Sequence, residues 1–406
     1  MAGRNGAGKS SFLQAIAIAI AGPMVARLLA ETFSGWIRDG DNEAHAAVKL
    51  KFSDEDGFTA GRRPRFEPWA AVEWTRADGP EPKLHKYGIG GNWSPQRGPW
   101  AENLKGWFTA GYGPFRRLSP APTEAQRLMM TPGRPAALAS LFREDASLSE
   151  SVQWLQQVYL QRLEDRPSAQ ALESLVLRLL NDGLLPEGMR VLKVDSSGLW
   201  VVTPEGHEIS LTSLSDGYRT VAGLVLDLIK QMATSFEVVD YDESPDGHIF
   251  IQHEGIVLID EIDVHLHVEW QQRIGFWLKS RFPRMQFIVT THSPFICQAA
   301  DIGGLVRLSP AWSGRPVAEI LIGEEFNRVV NGSADDAVMS DLFGLDSPVS
   351  GASQRVRVET AKLEALANTR KLSDAEIEKL ISLRSMLPTS QSDRALQALE
   401  RARRSL

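Results

Sequence analysis

Eight residues near the start of the chain restrict its fold more than any others. Gly3-Arg4-Asn5-Gly6-Ala7-Gly8-Lys9-Ser10 fits G-x-x-x-x-G-K-[ST] at every fixed position. The glycines let the backbone curl so that successive N–H groups converge on phosphate oxygens, at the positive end of the helix that follows. In such a loop Asn5, Gly6, Ala7, Gly8, Lys9, Ser10 and Ser11 surround the phosphates of ATP. Lys9 reaches the β- and γ-phosphates, and the Ser10 hydroxyl ligates Mg²⁺. The plain alternative is a chance glycine-rich turn. The pattern normally follows a strand, and here only Met1 and Ala2 precede it. Either that strand is absent or the chain is shortened upstream.

The same stretch can be read as a leader: Arg4 and Lys9, then the apolar run from Phe12 to Gly22, then Met24-Val25-Ala26. The run is too short to span a bilayer and Gly22-Pro23 breaks it. We therefore expect a buried helix after a phosphate loop, in a cytoplasmic protein. A single cysteine, Cys297, allows no internal disulfide and suits a reducing compartment. The length of 406 residues allows two or three structural units. A net charge of −7 argues against a uniformly basic nucleic-acid coat, though not against a local basic patch.

Residues 10–34 read as helix with a break at Pro23. From Ala46 to about Phe108 the pattern is strand-like, residues 122–181 turn helical, and 190–211 reads as a hairpin plus a further strand. An apolar helix spans 220–232, and an acidic loop spans 240–247. Gly255–Asp260 and Gln286–Thr290 are apolar runs of the kind found in strands covered on both faces, with a helix at 268–281 between them. From about Val356 onward the chain is helical and polar; after Gly351 it carries 11 Lys and Arg against 7 Asp and Glu. Strands alternating with helices make an α/β protein on a mainly parallel sheet.

Three further motifs accompany the phosphate loop. Ile256-Val257-Leu258-Ile259-Asp260-Glu261 is an apolar strand ending in two carboxylates, at the end of a sheet where ligands bind. Asp260 suits Mg²⁺ held through water, and Glu261 suits a general base for the attacking water. Ser213-Leu214-Ser215-Asp216-Gly217-Tyr218-Arg219 opens a helix with a hydroxyl and a glycine backbone, either an anion site or merely a good N-cap. Thr290-Thr291-His292-Ser293-Pro294 puts His292 at a strand end, where an imidazole can donate to a γ-phosphate or its attacking water. Asp263, His265, His267 and Glu269 alternate, so an extended chain would place all four on one side, as a metal site needs. A polar loop near the nucleotide is the reading we favour, because no Cys or additional spaced His completes a cage.

Taken in order, Gly3–Ser10, Leu214–Arg219, Ile256–Glu261 and Thr291–Pro294 resemble the ABC-type ATPase heads of the RecF/SMC class. The wording from Leu258 to His267 with Trp270-Gln271-Gln272-Arg273, Phe282-Pro283 and Gln286–Pro294 is similar to stand-alone bacterial AAA-family ATPases of anti-phage systems, the Septu (PtuA-like) and OLD-related proteins. Phe108–Arg117 looks like a segment that recurs in that group. The resemblance covers roughly residues 3–310. It implies an ABC-ATPase head (a P-loop NTPase fold) with a mainly parallel core sheet, an antiparallel β portion, an inserted helical subdomain and a helical C-terminal tail. The corresponding segments are 1–120, 121–208, 209–325 and 326–406.

In such a family two heads sandwich two nucleotides, with Ser215 and Gly217 reaching the γ-phosphate held by the second copy's phosphate loop. The resemblance thus implies ATP and Mg²⁺ as cofactors, a homodimer or larger assembly, and a separate effector such as a nuclease. Glu324, Glu325, Asp335, Asp336 and Asp341 are too few and too cramped for a nuclease domain of the chain's own. The long coiled coil of SMC proteins is missing, and Gln96 is a weak candidate for the family's Q-loop glutamine. A RecF-like ATPase clamping duplex DNA is the alternative, with Arg394, Arg401, Arg403 and Arg404 as phosphate contacts. A transporter subunit, and with it a membrane partner, ranks below both.

Overall fold

The computed structural model describes residues 1–59, 63–76, 82–86, 93–102, 105–116, 127–129, 133–185 and 188–387. By internal contacts the chain divides into Met1–Ala334 and Asp335–Leu406. The first unit spans the segments 1–120, 121–208 and 209–325 and the first nine residues of the segment 326–406.

At the centre of that unit three parallel strands lie side by side. Gly255–Ile259 is the middle strand, with Thr109–Tyr112 on one side and Met285–Val289 on the other. Successive side chains of the middle strand enter different cores. Val257 and Ile259 pack among Val225 and Leu228 of the helix Asp216–Phe236 and Ile274 and Leu278 of the helix Val268–Arg281. Ile256 and Leu258 pack against Leu13, Ala17 and Ala21 of the helix Lys9–Ala21, which follows the phosphate loop. Both faces of the strand are thus covered, which explains its unbroken apolar run.

Met1 and Ala2 extend this sheet. Ala2 bridges in parallel to both Thr291 and Arg307. Its N–H donates to Val306 O (2.9 Å), its carbonyl accepts from Leu308 N–H (2.8 Å), and the Met1 carbonyl accepts from Thr291 N–H (3.1 Å). The strand position that the sequence left open is therefore filled by two residues, inserted between the Met285–Val289 strand and the strand Val306–Leu308. The latter turns back as an antiparallel pair with Ala318–Ile320.

The antiparallel portion is a three-stranded sheet of Glu43–Lys49, Trp69–Thr75 and Lys83–Lys86. Val72, Trp74 and Leu84 pack there against Ile18 and Ala19, on another face of the phosphate-loop helix. The helices Arg134–Phe142, Ser149–Leu163 and Pro167–Asn181 form the helical insertion. Leu155, Leu175 and Leu179 share one core with Phe108, Ala110 and Tyr112 of the parallel sheet, so the insertion is built onto the head. Arg190–Asp195, Gly198–Val202 and Glu208–Ser210 make the expected hairpin and further strand.

Two local expectations change. The first helix stops at Ala21 and a second runs Pro23–Leu29, because Gly22 at φ 86° breaks the path and Pro23 starts the new turn. Helix does not continue to residue 34. The acidic stretch 240–247 is not all loop: Tyr241–Glu243 pairs with Ile249–Ile251, and Gly247 at φ 83° closes the turn between them.

The second unit carries the helices Gly351–Thr369 and Asp374–Met386. The Ser373 hydroxyl accepts from Glu376 N–H while the Glu376 carboxylate accepts from Ser373 N–H, which fixes the start of the second helix. Arg117 and the tail residues Arg394, Arg401, Arg403 and Arg404 lie outside the described residues. Among the described residues no helix is long and apolar enough to cross a membrane.

Candidate nucleotide site

The phosphate loop leaves the sheet at Gly3, where space admits only glycine. A Cβ there would stand 2.1 Å from the carbonyl oxygen of Leu308. Gly3→Ala is therefore expected to cost about 1–3 kcal/mol of stability, as overpacking does; an unchanged urea midpoint would show that the Leu308 strand yields instead. Gly6 and Gly8 take φ of 76° and 80°. Gly8 is the N-cap of Lys9–Ala21 and supplies no side-chain acceptor, so the first-turn N–H groups remain available to water or an anion. Asn5, Gly6 and Ser11 are exposed, Ala7 is buried and Ser10 is half-buried on the first turn.

Lys9 is buried. Its ammonium donates to Gly3 O (3.0 Å) and Arg4 O (3.3 Å), so it lies across its own loop. Burial lowers its pKa, and Glu261, Asp260 and Asp263 act against that by attraction. The lysine of the first motif and the carboxylates of the acidic strand, some 250 residues later, thus share one electrostatic neighbourhood.

The acidic strand end is tied down from two sides. Asp260 is buried and its carboxylate accepts from the Thr290 hydroxyl, while Glu261 N–H donates to Thr290 Oγ1 at 2.7 Å. Glu261 is half-buried and takes φ of 46°, a left-handed conformation that costs a non-glycine residue roughly 1–2 kcal/mol. Arg116 supplies the other restraint. It is buried and donates to the carbonyl oxygens of Gly113 (2.7 Å), Asp260 (2.8 Å) and Glu261 (3.0 Å). Burial brings its pKa down to about 10, with Asp260, Asp263 and Glu261 acting in the opposite sense, so it stays protonated at neutral pH. In the sequence Arg116 lies within the segment Phe108–Arg117 and has no assigned role. The available signal was an arginine four residues beyond an apolar strand, where a buried charge needs a partner.

The stretch after Glu261 is a turn, in keeping with the favoured loop reading and not with the extended geometry that would align four metal ligands. Val264 N–H donates to Glu261 O, Leu266 N–H donates to Asp263 O, and His265 has φ of 66°. Asp263 points toward the histidine strand, accepting from the Thr291 hydroxyl (2.5 Å) and from His292 N–H (3.3 Å). Glu269 lies in the first turn of the next helix. Among the described residues, the group whose ligand atoms lie within 4.8 Å of one another is instead Glu43, His45 and Glu73, on the exposed antiparallel sheet. His292 is exposed at the end of its strand, next in line to the acidic strand. Gln96 is exposed and accepts from the Ser94 hydroxyl.

Ser215 and Gly217 lie elsewhere. Ser215 is the N-cap of Asp216–Phe236, with no side-chain capping bond. Together with Asp216, Gly217 and Tyr218 it faces His265, His267 and Trp270 across a cavity of about 290 Å³, which no phosphate-loop residue lines. A Cβ on Gly217 would stand 2.7 Å from His265 O, so the turn is seated directly on the loop that follows the acidic strand.

The chain is 30% identical over 202 residues to the Septu protein PtuA of Bacillus thuringiensis, covering 49% of this chain and 46% of that protein. It is 36% identical over 115 residues to a "Retron Ec83 probable ATPase" of Escherichia coli, covering 28% and 20% of the two chains. It thus spans less than half the length of either relative. Among solved structures, an SmcHead bound to the C-winged helix domain of ScpA is 16% identical, covering 74% of this chain and 83% of that one, with a TM-score of 0.41. Residues 1–298 match the AAA_21 family, described as "AAA domain, putative AbiEii toxin, Type IV TA system". That match takes in every motif described above and well over half of the chain, which belongs to this family of AAA-domain proteins.

Proposed function

We propose that the chain binds and hydrolyses ATP as a dimeric switch, the sensor or regulatory ATPase of a bacterial anti-phage defence system that acts with a separate effector. One observation carries the ATPase reading: Lys9 of the phosphate loop lies in the field of Asp260, Glu261 and Asp263, at the carboxyl ends of two parallel strands with Met285–Val289 between them. The defence setting is supported by the relatives' names, a Septu protein and a retron ATPase. A cytoplasmic location goes with it.

In this reading the N–H groups of Asn5 to Ser11 bind the α- and β-phosphates, and Lys9 turns from its own carbonyls to the β- and γ-phosphates. The donors near Lys9 suit Mg²⁺: a serine hydroxyl at Ser10 and the Asp260 carboxylate, both hard oxygens. Bound there, the cation would neutralise charge on the phosphates. Glu261, fixed by Arg116 and Thr290, takes the proton of the attacking water. His292, its backbone held by Asp263, donates to the γ-phosphate. Ser215 and Gly217, which line a cavity apart from the phosphate loop, serve the nucleotide of a second copy.

Calorimetric titration with ATP tests the reading. Lys9→Ala removes a charge-assisted contact and is expected to weaken binding by about 10–100-fold. Absence of ATP binding by the unmodified chain would overturn the proposal.

A further inference from the structure

Trp312 is the largest kind of apolar side chain, yet it is 79% exposed. It belongs to a tight turn, the 3₁₀ helix Ala311–Ser313, closed by Ser313 N–H donating to Pro310 O at 3.0 Å. The turn follows the strand Val306–Leu308, the parallel neighbour of Ala2. The loops after Ala2 and after Leu308 therefore rise from the same carboxyl edge of the sheet, where ligands of such sheets bind. Ser309 N–H donates to Val317 O (2.9 Å) across the base of the second loop, and Arg307 is held by Glu319 and Glu325. The indole is thus carried on a braced hairpin. Its Cη2 lies 3.6 Å from where a Cβ on Gly6 would stand, so the ring edge meets the phosphate loop and most of its surface faces outward.

We infer that Trp312 forms the subsite for the purine base of the bound nucleotide, with the base stacking on the exposed indole while the Gly3–Ser10 loop holds the phosphates. The inference rests on nucleotide binding by that loop and adds what the four motifs leave out, namely a contact for the base. A flat π-face accepts a base without hydrogen-bond selection, so the subsite favours nucleotides over bare polyphosphate more than one purine over another. The returning arm of the hairpin and the residues after it also expose apolar side chains, at Val317, Ile320 and Ile322. A protein-docking role for this hairpin is the rival outcome.

The test is calorimetric titration of the full chain, Trp312→Phe and Trp312→Ala with ATP and, separately, with inorganic tripolyphosphate. Trp312→Ala is expected to weaken ATP binding about tenfold, the scale of one aromatic stack, and to leave tripolyphosphate binding unchanged, while Trp312→Phe retains most of the ATP affinity. Unchanged ATP affinity in Trp312→Ala would overturn the inference, as would equal weakening of both ligands, because the ring would then merely support Gly6. An unmodified chain that binds tripolyphosphate as tightly as ATP overturns the base subsite alone. Binding of neither ligand removes the nucleotide reading and the subsite with it.

Discussion

Turnover of ATP is expected to fall by about 10²–10⁴-fold in Glu261→Gln, the usual worth of a positioned general base. The amide keeps the size of the side chain and the backbone bond to Thr290 Oγ1, so the loop geometry survives and ATP still binds. What is lost is the proton acceptor. A chain that binds but cannot hydrolyse should accumulate in its nucleotide-bound, paired form. Phosphate release measured beside sedimentation with ATP reads both effects: a slow variant that sediments as a dimer. Normal turnover would refute the role of Glu261, and a monomer that retains ATP would refute the sandwich.

The second large effect is expected at Arg116, a positioning residue that acts through Glu261. Arg116→Met removes donors from the carbonyls of Gly113, Asp260 and Glu261 and leaves them buried. It also removes a positive charge beside Asp260, Asp263 and Glu261. Losing one member of such a buried arrangement costs about 3–5 kcal/mol. Glu261 at its left-handed φ would lose one of its two restraints, and misplacing a catalytic group by 1 Å can cost about 100-fold in rate. The expected result is a lower denaturation midpoint and a kcat reduced about 100-fold, with KM little changed. Arg116→Lys keeps the charge but not the fork of donors, and should fall between the two. A destabilised Arg116→Met protein with full kcat would show that the arginine only holds the fold.

Much of this site was legible in the sequence because its chemistry is local. A glycine-rich loop ahead of a helix, an apolar strand closing on Asp260-Glu261, and a strand ending at His292 are each written within a few residues. The two covered faces of Gly255–Ile259 followed from the unbroken apolar run; the strand order did not. What the sequence hid were the contacts across distance. Nothing near Arg116 says that its guanidinium will bridge the carbonyls of residues 260 and 261, nor does Thr290 announce that it will hold both Asp260 and the next N–H. For Asp263, His265, His267 and Glu269 the favoured polar loop is what forms: the chain turns at His265 and has no shared face for four ligands. The place of Met1 and Ala2 was equally hidden, because strand signals need more residues than two.

That two-residue strand has a consequence for how the molecule comes into being. The Met1 ammonium donates to Val289 O at 2.6 Å, and Ala2 is locked between Thr291 and the strand Val306–Leu308. Residues 1 and 2 thus wait for partners made almost three hundred residues later. Contacts so distant in sequence form late, after the cost of closing a very long loop has been met. The phosphate loop hangs from that strand, so the growing chain acquires its nucleotide site only when the histidine strand and its neighbour have emerged. The loop Gly3–Ser10 is among the last parts of this sheet to take shape.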